Sequence, residues 1–477
     1  MQMKRILYRI ACCVLAAAMV LPAGAQNTGE SSVRKFGRRF KDAITDTYHD
    51  AVSAIKGESS SSRASSGRTA DKRTFSATYY VSAANGSNRA EGTLEAPFKN
   101  IQKALEVAPD DALILVAEGN YFGTLRSGNI NIEKPVTILG GYNDTFTERD
   151  ILRYRTTVRP SVASNETQSG KGTLQIRVRR PDTKVTVDGL LFDRGWSIAY
   201  DPEDDDKPDG IASGRMQALG TAGLGGEKLD EQTKTAQTAI LFLDNCQCEV
   251  EIRNCAFVNA PDCAIKGSVG TITTLENNLF VCVRKSAVEI SGSMLARNAD
   301  IRFSYNTVLF AWPSDSEEDG EQGFGYRFMN GANGYLDHNI IGCCSLAALD
   351  RCRVETIREK EAQKVTSAEY NVFFMNPLGD IALPGGDRPL LVGARDFEDV
   401  DQLTGVRGNR DTNDPAIFVG LLDERYLEGF RAGKLYMNRY DFDRALALFG
   451  AVEGFGAQAL KPEAVTEPAG KTTKRNR

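Results

Sequence analysis

The hydrophobic and polar positions between Phe242 and Phe374 repeat one short pattern. An inward apolar residue and an outward polar residue precede an Asn-rich corner and a second apolar run. The copies are Ile252–Phe257, Leu275–Phe280, Phe303–Val308, Leu336–Ile341 and Ala368–Phe373. They follow one another at intervals of 23, 28, 33 and 32 residues, and an earlier copy, Val187–Phe192, lies 65 residues before the first. Strand-like repeats with periods of roughly 20–50 residues predict a solenoid, here a parallel β-helix.

One polar column runs through the corners of these copies. It contains Cys255, Asn278, Asn306, Asn339 and Asn371. Because stacked coils lie about 4.8 Å apart, the Asn side chains can hydrogen-bond to one another along the stack, and Asn tolerates the left-handed backbone of a tight corner. The apolar residues expected to stack inside the coil are Phe257, Phe280, Val308, Ile341 and Phe373. We interpret the column as structural rather than catalytic.

Residues 1–25 have the three parts of a secretory signal peptide. Lys4, Arg5 and Arg9 form a basic start, residues 10–21 are apolar, and residues 23–25 match an A-x-A cleavage site. We therefore expect an exported protein that is periplasmic, associated with the outer membrane, or extracellular. A membrane-spanning helix needs about 20 apolar residues, and no later run is long enough, so no transmembrane span is expected.

Residues 26–57 form a separate segment that is expected to be helical. Apolar residues recur every three or four positions over 33–56, which predicts an amphipathic helix, and the Ser-rich stretch within 58–77 predicts a flexible linker. A helix of this length is marginal alone, so its apolar face needs a cover. Three surfaces could cover the apolar face of this helix: the end of the solenoid, an envelope protein partner, or a membrane surface.

Composition narrows the function classes. The net charge of −5 and the pI of about 5.5 argue against a nucleic-acid partner. With only two histidines, His49 and His338, a His-rich metal site or a His-based catalytic triad is not expected. Eight cysteines follow the signal peptide, all within residues 246–352. They allow many disulfide pairings but equally suit buried, unpaired thiols.

A family resemblance begins at residue 78. The segments 79–87, 92–105 and 113–121 resemble the entry segment of right-handed parallel β-helix proteins with the pectin-lyase-like fold, and residues 413–418 and 425–428 resemble a closing segment. The resemblance covers residues 78–430 and implies an all-β, right-handed parallel β-helix. It also implies that a short helix within 97–108 caps the first coil. Since this fold carries lyases, hydrolases, adhesins and scaffolds, it does not select an activity.

The resemblance and the residue pattern together suggest domain limits. We expect a β-helix over 78–435, a C-terminal cap over 436–465 that shields the last coil, and a disordered basic tail over 466–477. A solenoid needs such a cap because its last coil would otherwise expose the core.

Acidic insertions are the first candidate site. The insertions are residues 200–236, 313–323 and 346–365, each after the apolar run of its coil, so we expect them to leave the solenoid at one edge. The candidate metal ligands are Asp204, Asp206, Asp209, Asp315, Glu317 and Asp319. Calcium prefers several hard oxygen ligands, so these loops are expected either to hold calcium or to be plainly solvated.

Two outward columns beside the repeats are the second candidate site. One column is Arg253, Glu276, Ser304 and Asp337, and its neighbour is Glu251, Thr274, Arg302 and Tyr335. The resemblance implies that a lyase would use an Arg or Lys base, with carboxylates or calcium at the acid group of the sugar. The weak catalytic candidates are Arg253, Glu276, Arg302, Asp337 and Glu251. The alternative is a ladder of exposed ion pairs, each contributing about 0–1 kcal/mol.

Three functions remain open. The first is an exported β-helix protein that binds a glycan or a cell-surface partner without catalysis. The second is a polysaccharide lyase or glycoside hydrolase that acts on an acidic polysaccharide. The third is a scaffold of an envelope assembly, docked through helix 33–56. His338 lies in the corner column with Tyr305 and Tyr370, and we expect it to be structural.

Overall fold

Short strands that form three parallel sheets are the main secondary structure of the described chain. The computed structural model describes residues 74–123, 129–159, 172–194, 239–293, 299–313, 322–354, 365–386, 388–432 and 440–464. From Phe75 onward these residues belong to one compact unit. The predicted signal peptide, helix 33–56 and basic tail lie outside the described residues and stay predictions. None of the helices within the described ranges has the length and apolarity to cross a bilayer.

Each turn of the chain contributes one strand to each sheet in the order A, B, C. Sheet A consists of Thr78–Val81, Ala112–Ala117, Val136–Tyr142, Lys184–Asp188, Glu249–Arg253, Ile272–Glu276, Ala299–Ser304, Ala332–Asp337 and Thr366–Glu369, with Glu148–Arg149 and Glu463–Ala464 added antiparallel at its side. Sheet B consists of Gly119–Tyr121, Thr156–Val158, Leu191–Asp193, Ala256–Ala260, Leu279–Arg284, Thr307–Trp312, Ile340–Cys344, Val372–Phe374 and Arg410–Thr412.

Sheet C completes each turn. It consists of Ile130–Ile132, Gly172–Ile176, Ala239–Cys246, Ile265–Val269, Ser286–Gly292, Phe324–Arg327, Ala347–Asp350, Ile381–Leu383 and the antiparallel strand Leu390–Val392. Successive turns pair in parallel along all three sheets, and parallel crossover connections are right-handed. The chain is therefore an all-β, right-handed parallel β-helix, which confirms the predicted fold.

The strand register matches the repeat found in the sequence. Ile252 pairs with Leu275, which pairs with Phe303, and the series continues through Leu336 to Ala368. The early copy also fits, because Val187 pairs with Ile252 across the insertion of residues 195–238. The predicted outward columns are therefore real columns of neighbouring side chains.

The asparagine column forms a continuous ladder. The Asn306 side-chain oxygen accepts hydrogen bonds from the Asn278 backbone N–H (2.9 Å) and side-chain amide (3.0 Å), while its own amide donates to the Leu275 carbonyl (2.9 Å). Asn339 repeats this arrangement with Asn371. The ladder asparagines 278, 306, 339 and 371 are fully buried. The ladder also continues one step further than the repeat predicted, to Asn409.

The left-handed corner residue is the one before each ladder asparagine, which corrects the expectation that the ladder Asn itself takes this conformation. Positive φ values of 53–59° occur at Asn254, Asn277, Tyr305, His338 and Tyr370. The reason is that the ladder Asn must point its side chain into the corner, so the preceding residue makes the turn.

Aromatic rings stack in the interior as predicted. The Phe192 and Phe257 ring centroids are 5.1 Å apart at 8°, and those of Phe257 and Phe280 are 5.0 Å apart at 6°. These residues belong to one buried cluster that runs the length of the solenoid. The eight cysteines outside the signal peptide are free thiols, seven of them buried, so they pack as small apolar residues.

Both ends of the core are closed by short helices. At the first coil, helix α1 (Ile101–Val107) buries Ile101, Ala104 and Leu105 in the core, which confirms the predicted capping helix with narrower bounds. At the last coil, the 3-10 helix Ala394–Asp399 places the Phe397 ring 5.2 Å from the Phe373 ring. This short helix therefore closes the last coil.

The predicted C-terminal cap, residues 436–465, does not shield the last coil, because its described part, residues 440–464, packs beside sheet B. Residues 415–432 and 440–464, which we call the strap, begin beyond the last parallel strand with the 3-10 helix Pro415–Phe418, and contain helices α2 (Glu424–Arg431) and α3 (Phe442–Leu446). The strap covers the outer face of sheet B, where Tyr426 and Tyr440 pack on Phe310 at 4.9 and 5.5 Å between ring centroids. Sheet B strands are apolar on both faces, so their outer side requires this cover.

The ladder yields a first prediction. Replacing Asn306 with Ala removes the partners of two neighbouring coils from a buried corner, and we expect unfolding to become easier by roughly 2–4 kcal/mol. The measurement is the midpoint of urea unfolding, with the exposed Asn413 changed to Ala as the matched control. Equal urea midpoints for the Asn306 and Asn413 variants would contradict a stabilising role of the ladder.

Candidate functional site

The outer face of sheet C carries a row of charges that the sequence analysis did not single out. Lys266, Glu289, Arg327 and Asp350 are paired neighbours on four successive coils. They lie on the outward side because the residues flanking each of them, such as Ile265 and Val288, point into the core. The row alternates in sign, so each charge has an opposite charge on the next coil.

The row is tightly hydrogen-bonded at its Asp350 end and exposed to solvent at its Lys266 end, which we call the open end. Asp350 is fully buried and accepts a hydrogen bond from Arg327 Nε (2.7 Å), while Arg327 Nη1 also donates to Glu289 Oε2 (3.2 Å). Lys266 is more loosely held, with Nζ 3.9 Å from Glu289 Oε1, and its side chain is 37% exposed. The exposed fraction thus grows along the row from Asp350 to Lys266.

Two further charges join the open end from the corner between sheets B and C. The Lys285 ammonium lies 3.3 Å from Asp262 Oδ1, and the Lys266 ammonium lies 3.9 Å from Asp262 Oδ2. The Asp262 side chain is only 9% exposed, whereas that of Lys285 is 27% exposed. The result is a rim of two ammonium groups in front of mostly buried carboxylates. We call Asp262, Lys266, Lys285, Glu289, Arg327 and Asp350 the sheet C cluster.

The electrostatics keep Lys266 and Arg327 protonated. Burial alone lowers the pKa of Lys266, but its neighbours Cys263, Asp262 and Glu289 outweigh burial and raise that pKa above its ordinary value. Arg327 behaves in the same way, with burial opposed by Asp350 and Glu289. Lys266 therefore offers hydrogen-bond donors with a positive charge rather than a free base.

The predicted catalytic candidates lie together on sheet A, as their register required. Glu251 and Arg253 are on one strand, and Glu276, Arg302 and Asp337 follow on the next three coils. Their environments differ. The Arg253 guanidinium is bound to Asp188 Oδ2 (2.6 Å) and lies 3.5 Å from Glu251 Oε1.

The Arg253 end of these columns is a buried ion network. Asp188 is buried between Arg253 and Arg149, whose Nη2 donates to Asp188 Oδ1 at 2.7 Å, and Arg149 also binds Glu463 Oε2 (3.0 Å). Burial raises the pKa of Asp188, but the two guanidinium groups outweigh burial and lower it below the ordinary value. The contacts of Arg253 and Glu251 therefore match the alternative of stabilising ion pairs. Glu276, Arg302 and Asp337 lie on a part of sheet A that is open within the described residues. A catalytic role for any of the five stays a prediction.

An aromatic stack borders this open face. The His338 ring lies between Tyr305 and Tyr370, with centroid distances of 4.9 and 5.4 Å and interplanar angles of 14° and 16°. The His338 Nδ1 and Asp337 Oδ2 atoms are 2.9 Å apart. The stack sits on the left-handed corner residues, which agrees with the structural role expected for His338.

The acidic insertions cannot be compared with their prediction, because all six candidate calcium ligands lie outside the described residues. The insertions do not share one edge, however. Residues 200–236 and 313–323 connect sheet B to sheet C, whereas 346–365 spans a sheet C strand and leads to sheet A. Over the described ranges, no group of three or more His, Cys, Asp or Glu side chains is arranged to hold a metal ion.

Comparisons with known proteins found one family model and several solved structures. A family model described as "Protein of unknown function (DUF1565)" matches residues 84–173. No curated protein matches the sequence. The structure is similar to that of a pectate lyase (TM-score 0.38, 12% identity, covering 76% of this chain and 88% of that chain). It is also similar to a pectin methylesterase in complex with a hexasaccharide (TM-score 0.34, 11% identity, covering 72% and 94%).

The strand pairing of the chain itself decides the fold. The chain is a parallel β-helix.

The buried network at Asp188 yields a second prediction. Its carboxyl has a lowered pKa in the folded state, so its stabilising effect is fully present above the unfolded value of about 3.9 and is lost as the pH falls through the folded value. Changing Asp188 to Asn leaves two guanidinium groups facing each other, and we expect a loss of about 3–5 kcal/mol at neutral pH.

The thermal midpoint from pH 7 down to pH 3 measures this effect. The difference between the original chain and the Asp188→Asn variant should be constant above about pH 5 and shrink on further acidification. The exposed Asp401, changed to Asn, is the control and should follow the original chain. A difference that stays constant down to pH 3 would contradict this account.

Proposed function

We propose that the protein binds an acidic polysaccharide through the outer face of sheet C. The observation that carries this proposal is the rim of Lys266 and Lys285 in front of the buried carboxylates of the sheet C cluster. An anionic group on a sugar accepts charge-assisted hydrogen bonds from ammonium groups. The carboxylates behind the rim can accept hydrogen bonds from sugar hydroxyl groups.

The solenoid geometry favours an extended ligand. The cluster repeats with the coil spacing of about 4.8 Å, and its charged residues span four coils in a row. A linear polymer laid along the sheet would meet successive coils in turn. The raised pKa of Lys266 favours binding over proton abstraction, because a lysine that keeps its proton cannot act as a base.

A third prediction tests binding directly. Changing Lys266 or Lys285 to Gln removes one ammonium group from the rim, and we expect each change to weaken binding of polygalacturonate about three- to tenfold at low salt. Affinity electrophoresis in gels containing polygalacturonate, or neutral dextran for comparison, measures the effect. Lys99, an exposed lysine beside helix α1, changed to Gln, is the matched control.

Three results decide the outcome. Retarded migration in polygalacturonate but not in dextran, reduced by both rim variants and unaffected by the control, supports the proposal. Equal weakening by the Lys99 variant would mean nonspecific charge attraction. Unchanged migration of a folded protein in a panel of acidic polysaccharides would overturn the proposal.

Hydrolysis of the same polymer is a second candidate, favoured by the placement of two carboxylates. Asp262 and Glu289 each lie 3.9 Å from Lys266 Nζ, so their nearest oxygens are no more than roughly 8 Å apart. Glycoside hydrolases use carboxyl pairs separated by about 5–9.5 Å. Both carboxyl groups border the open end of the cluster.

A fourth prediction separates hydrolysis from binding alone. If the pair is catalytic, Asp262→Asn and Glu289→Gln should each lower the release of reducing ends roughly 100-fold or more, while Asp401→Asn leaves it unchanged. Reducing ends from polygalacturonate are assayed alongside unsaturated uronate. Absence of both products from a protein that still binds the polymer would reject the hydrolase and lyase alternatives and leave binding.

A further inference from the structure

We propose that the last strand of sheet B, Arg410–Thr412, binds an extended acidic segment of another protein by adding it to the sheet as a further strand. We call the side of this strand that faces away from its neighbour, Val372–Phe374, the terminal edge. The terminal edge lies on sheet B and contains no residue of the sheet C cluster, so the inference does not depend on the proposed function.

The backbone of the terminal edge has hydrogen-bonding groups without partners. The Arg410 N–H donates to the Asn371 carbonyl (2.8 Å), and the Met375 N–H donates to the Thr412 carbonyl (3.0 Å). Successive residues of a paired strand direct their backbone groups to opposite sides. Asp411 therefore points its N–H and C=O to the terminal edge, and neither group has a hydrogen-bond partner within the described residues.

The asparagine ladder also stops beside this edge. The Asn371 N–H donates to Asn409 Oδ1 (2.9 Å), but no described residue accepts from the Asn409 N–H in turn. At the other end of the solenoid, the first strand of sheet A is covered, since the Phe98 N–H donates to the Tyr80 carbonyl (2.9 Å) and the Tyr80 N–H to the Gly92 carbonyl (2.9 Å). The C-terminal end thus offers donors and an acceptor for one more strand.

Two exposed arginines stand beside the terminal edge. The Arg410 guanidinium carbon lies 4.8 Å from the Phe455 ring centroid, and that of Arg407 lies 5.1 Å from the Tyr370 ring centroid. Neither guanidinium forms an ion pair with a described carboxylate, although Glu369 is the neighbour of Arg407 in the strand register. A guanidinium that rests on a ring keeps the N–H groups of its own plane available to a carboxylate.

The acidic residues of the same stretch are already bound. Asp411 Oδ2 lies 3.2 Å from Arg395 Nε. Asp414 Oδ1 accepts a hydrogen bond from the Ala416 N–H (2.9 Å) at the start of a 3-10 helix. The terminal edge therefore combines cations without ion pairs and bound anions, which is complementary to an acidic partner.

Strand geometry defines the pattern of that partner. An added strand would lie about 4.8 Å beyond Arg410–Thr412, with side chains on one face repeating about every 6.6 Å. The Cα atoms of Arg407 and Arg410 are at most about 11 Å apart. Acidic residues at alternate positions thus place one carboxylate beside Arg410 and the preceding one towards Arg407. Backbone hydrogen bonds supply affinity in this mode of recognition, and side chains supply specificity.

Fluorescence anisotropy of a labelled synthetic peptide with alternating Glu and Val residues, titrated with the full chain at low salt, tests the proposal. A peptide of alternating Lys and Val should not bind. In the bound strand, Asp411 bonds to the peptide residues beside Arg410 and Thr412, so the Glu N–H groups face the protein. N-methylation of the Glu residues should weaken binding about tenfold or more, whereas N-methylation of the Val residues should leave it unchanged.

A pair of variants at one position tests the same backbone group from the side of the protein. Asp411→Pro removes the N–H of the terminal edge and should weaken binding about tenfold or more, and Pro is tolerated where a strand N–H faces solvent. Asp411→Ala removes the same carboxylate, keeps the N–H and should bind like the original chain.

A second set of variants tests the charges. Arg410→Gln and Arg407→Gln should each weaken binding about three- to tenfold at low salt, because a carboxylate loses its charged partner. High salt should reduce this difference, since it screens exposed ion pairs. Arg89→Gln, which changes an exposed arginine at the first coil, is the matched control and should leave binding unchanged.

Several results would overturn the proposal. They are an unchanged anisotropy of the acidic peptide with folded protein, equal binding of the two N-methylated peptides, and equal weakening by Arg89→Gln. If Asp411→Pro lowers the thermal midpoint, the comparison of the two N-methylated peptides decides. Self-association of the chain that excludes the peptide and disappears in Asp411→Pro would identify a second copy as the occupant, and would also overturn the proposal.

Discussion

The need to satisfy buried backbone groups at the corner between sheets A and B shapes the whole molecule. A backbone N–H or C=O that is buried without a partner is costly. Each ladder asparagine satisfies two backbone groups of the coil before it, by accepting from an N–H of that coil and donating to one of its carbonyls. Each coil therefore depends on the next one for a satisfied corner, so the coils must stack in one register. Every outward column, and with it every candidate surface, inherits that register.

The outer faces of the three sheets differ in charge and in how they are covered. The face of sheet B is apolar and is covered by the strap, which buries residues such as Leu279, Leu309 and Phe374. The face of sheet C carries charges that are paired but graded in exposure, from buried Asp350 to half-exposed Lys266. The face of sheet A changes along its length, from the buried Asp188 network to an open acidic stretch. Within the described chain, the faces without such a cover are therefore those of sheets A and C.

The sequence alone predicted the fold and the side-chain columns of sheet A, because each repeat contains a corner asparagine by which the copies can be aligned. Each copy carries an Asn at the corner, and the strands on either side of that corner follow at fixed offsets from it. The pairing of Arg253 with Glu276 and of Arg302 with Tyr335 followed directly. The continuous apolar runs of sheet B, such as Leu279–Arg284, also contained a signal for an outer cover, since both faces of such a strand are buried.

The sheet C cluster was missed for a physical reason. The members of the cluster follow the connections from sheet B to sheet C, and these connections vary in length. No corner residue marks the register of the sheet C strands. Lys266, Glu289 and Arg327 are therefore spaced by 23 and 38 residues, which no single period relates. The C-terminal cap predicted over 436–465 was placed on the last coil because a short helix such as α3 indicates only that it covers an apolar surface. It does not indicate which end or side of a solenoid that surface occupies.

The strap also has a consequence for how the chain reaches its final form. Solenoids without such an element add stability coil by coil, because each repeat contacts only its neighbours. Here Tyr440 exchanges two hydrogen bonds with Asn259, and Glu463 reaches Arg149, more than 300 residues earlier in the chain. A chain that emerges from its N-terminus can stack its coils in order, yet the flank of sheet B stays uncovered until residues 415–464 have emerged. A segment made long after the first coils thus completes the contacts of Arg149 in an early coil, which joins the stepwise stack into one cooperative structure.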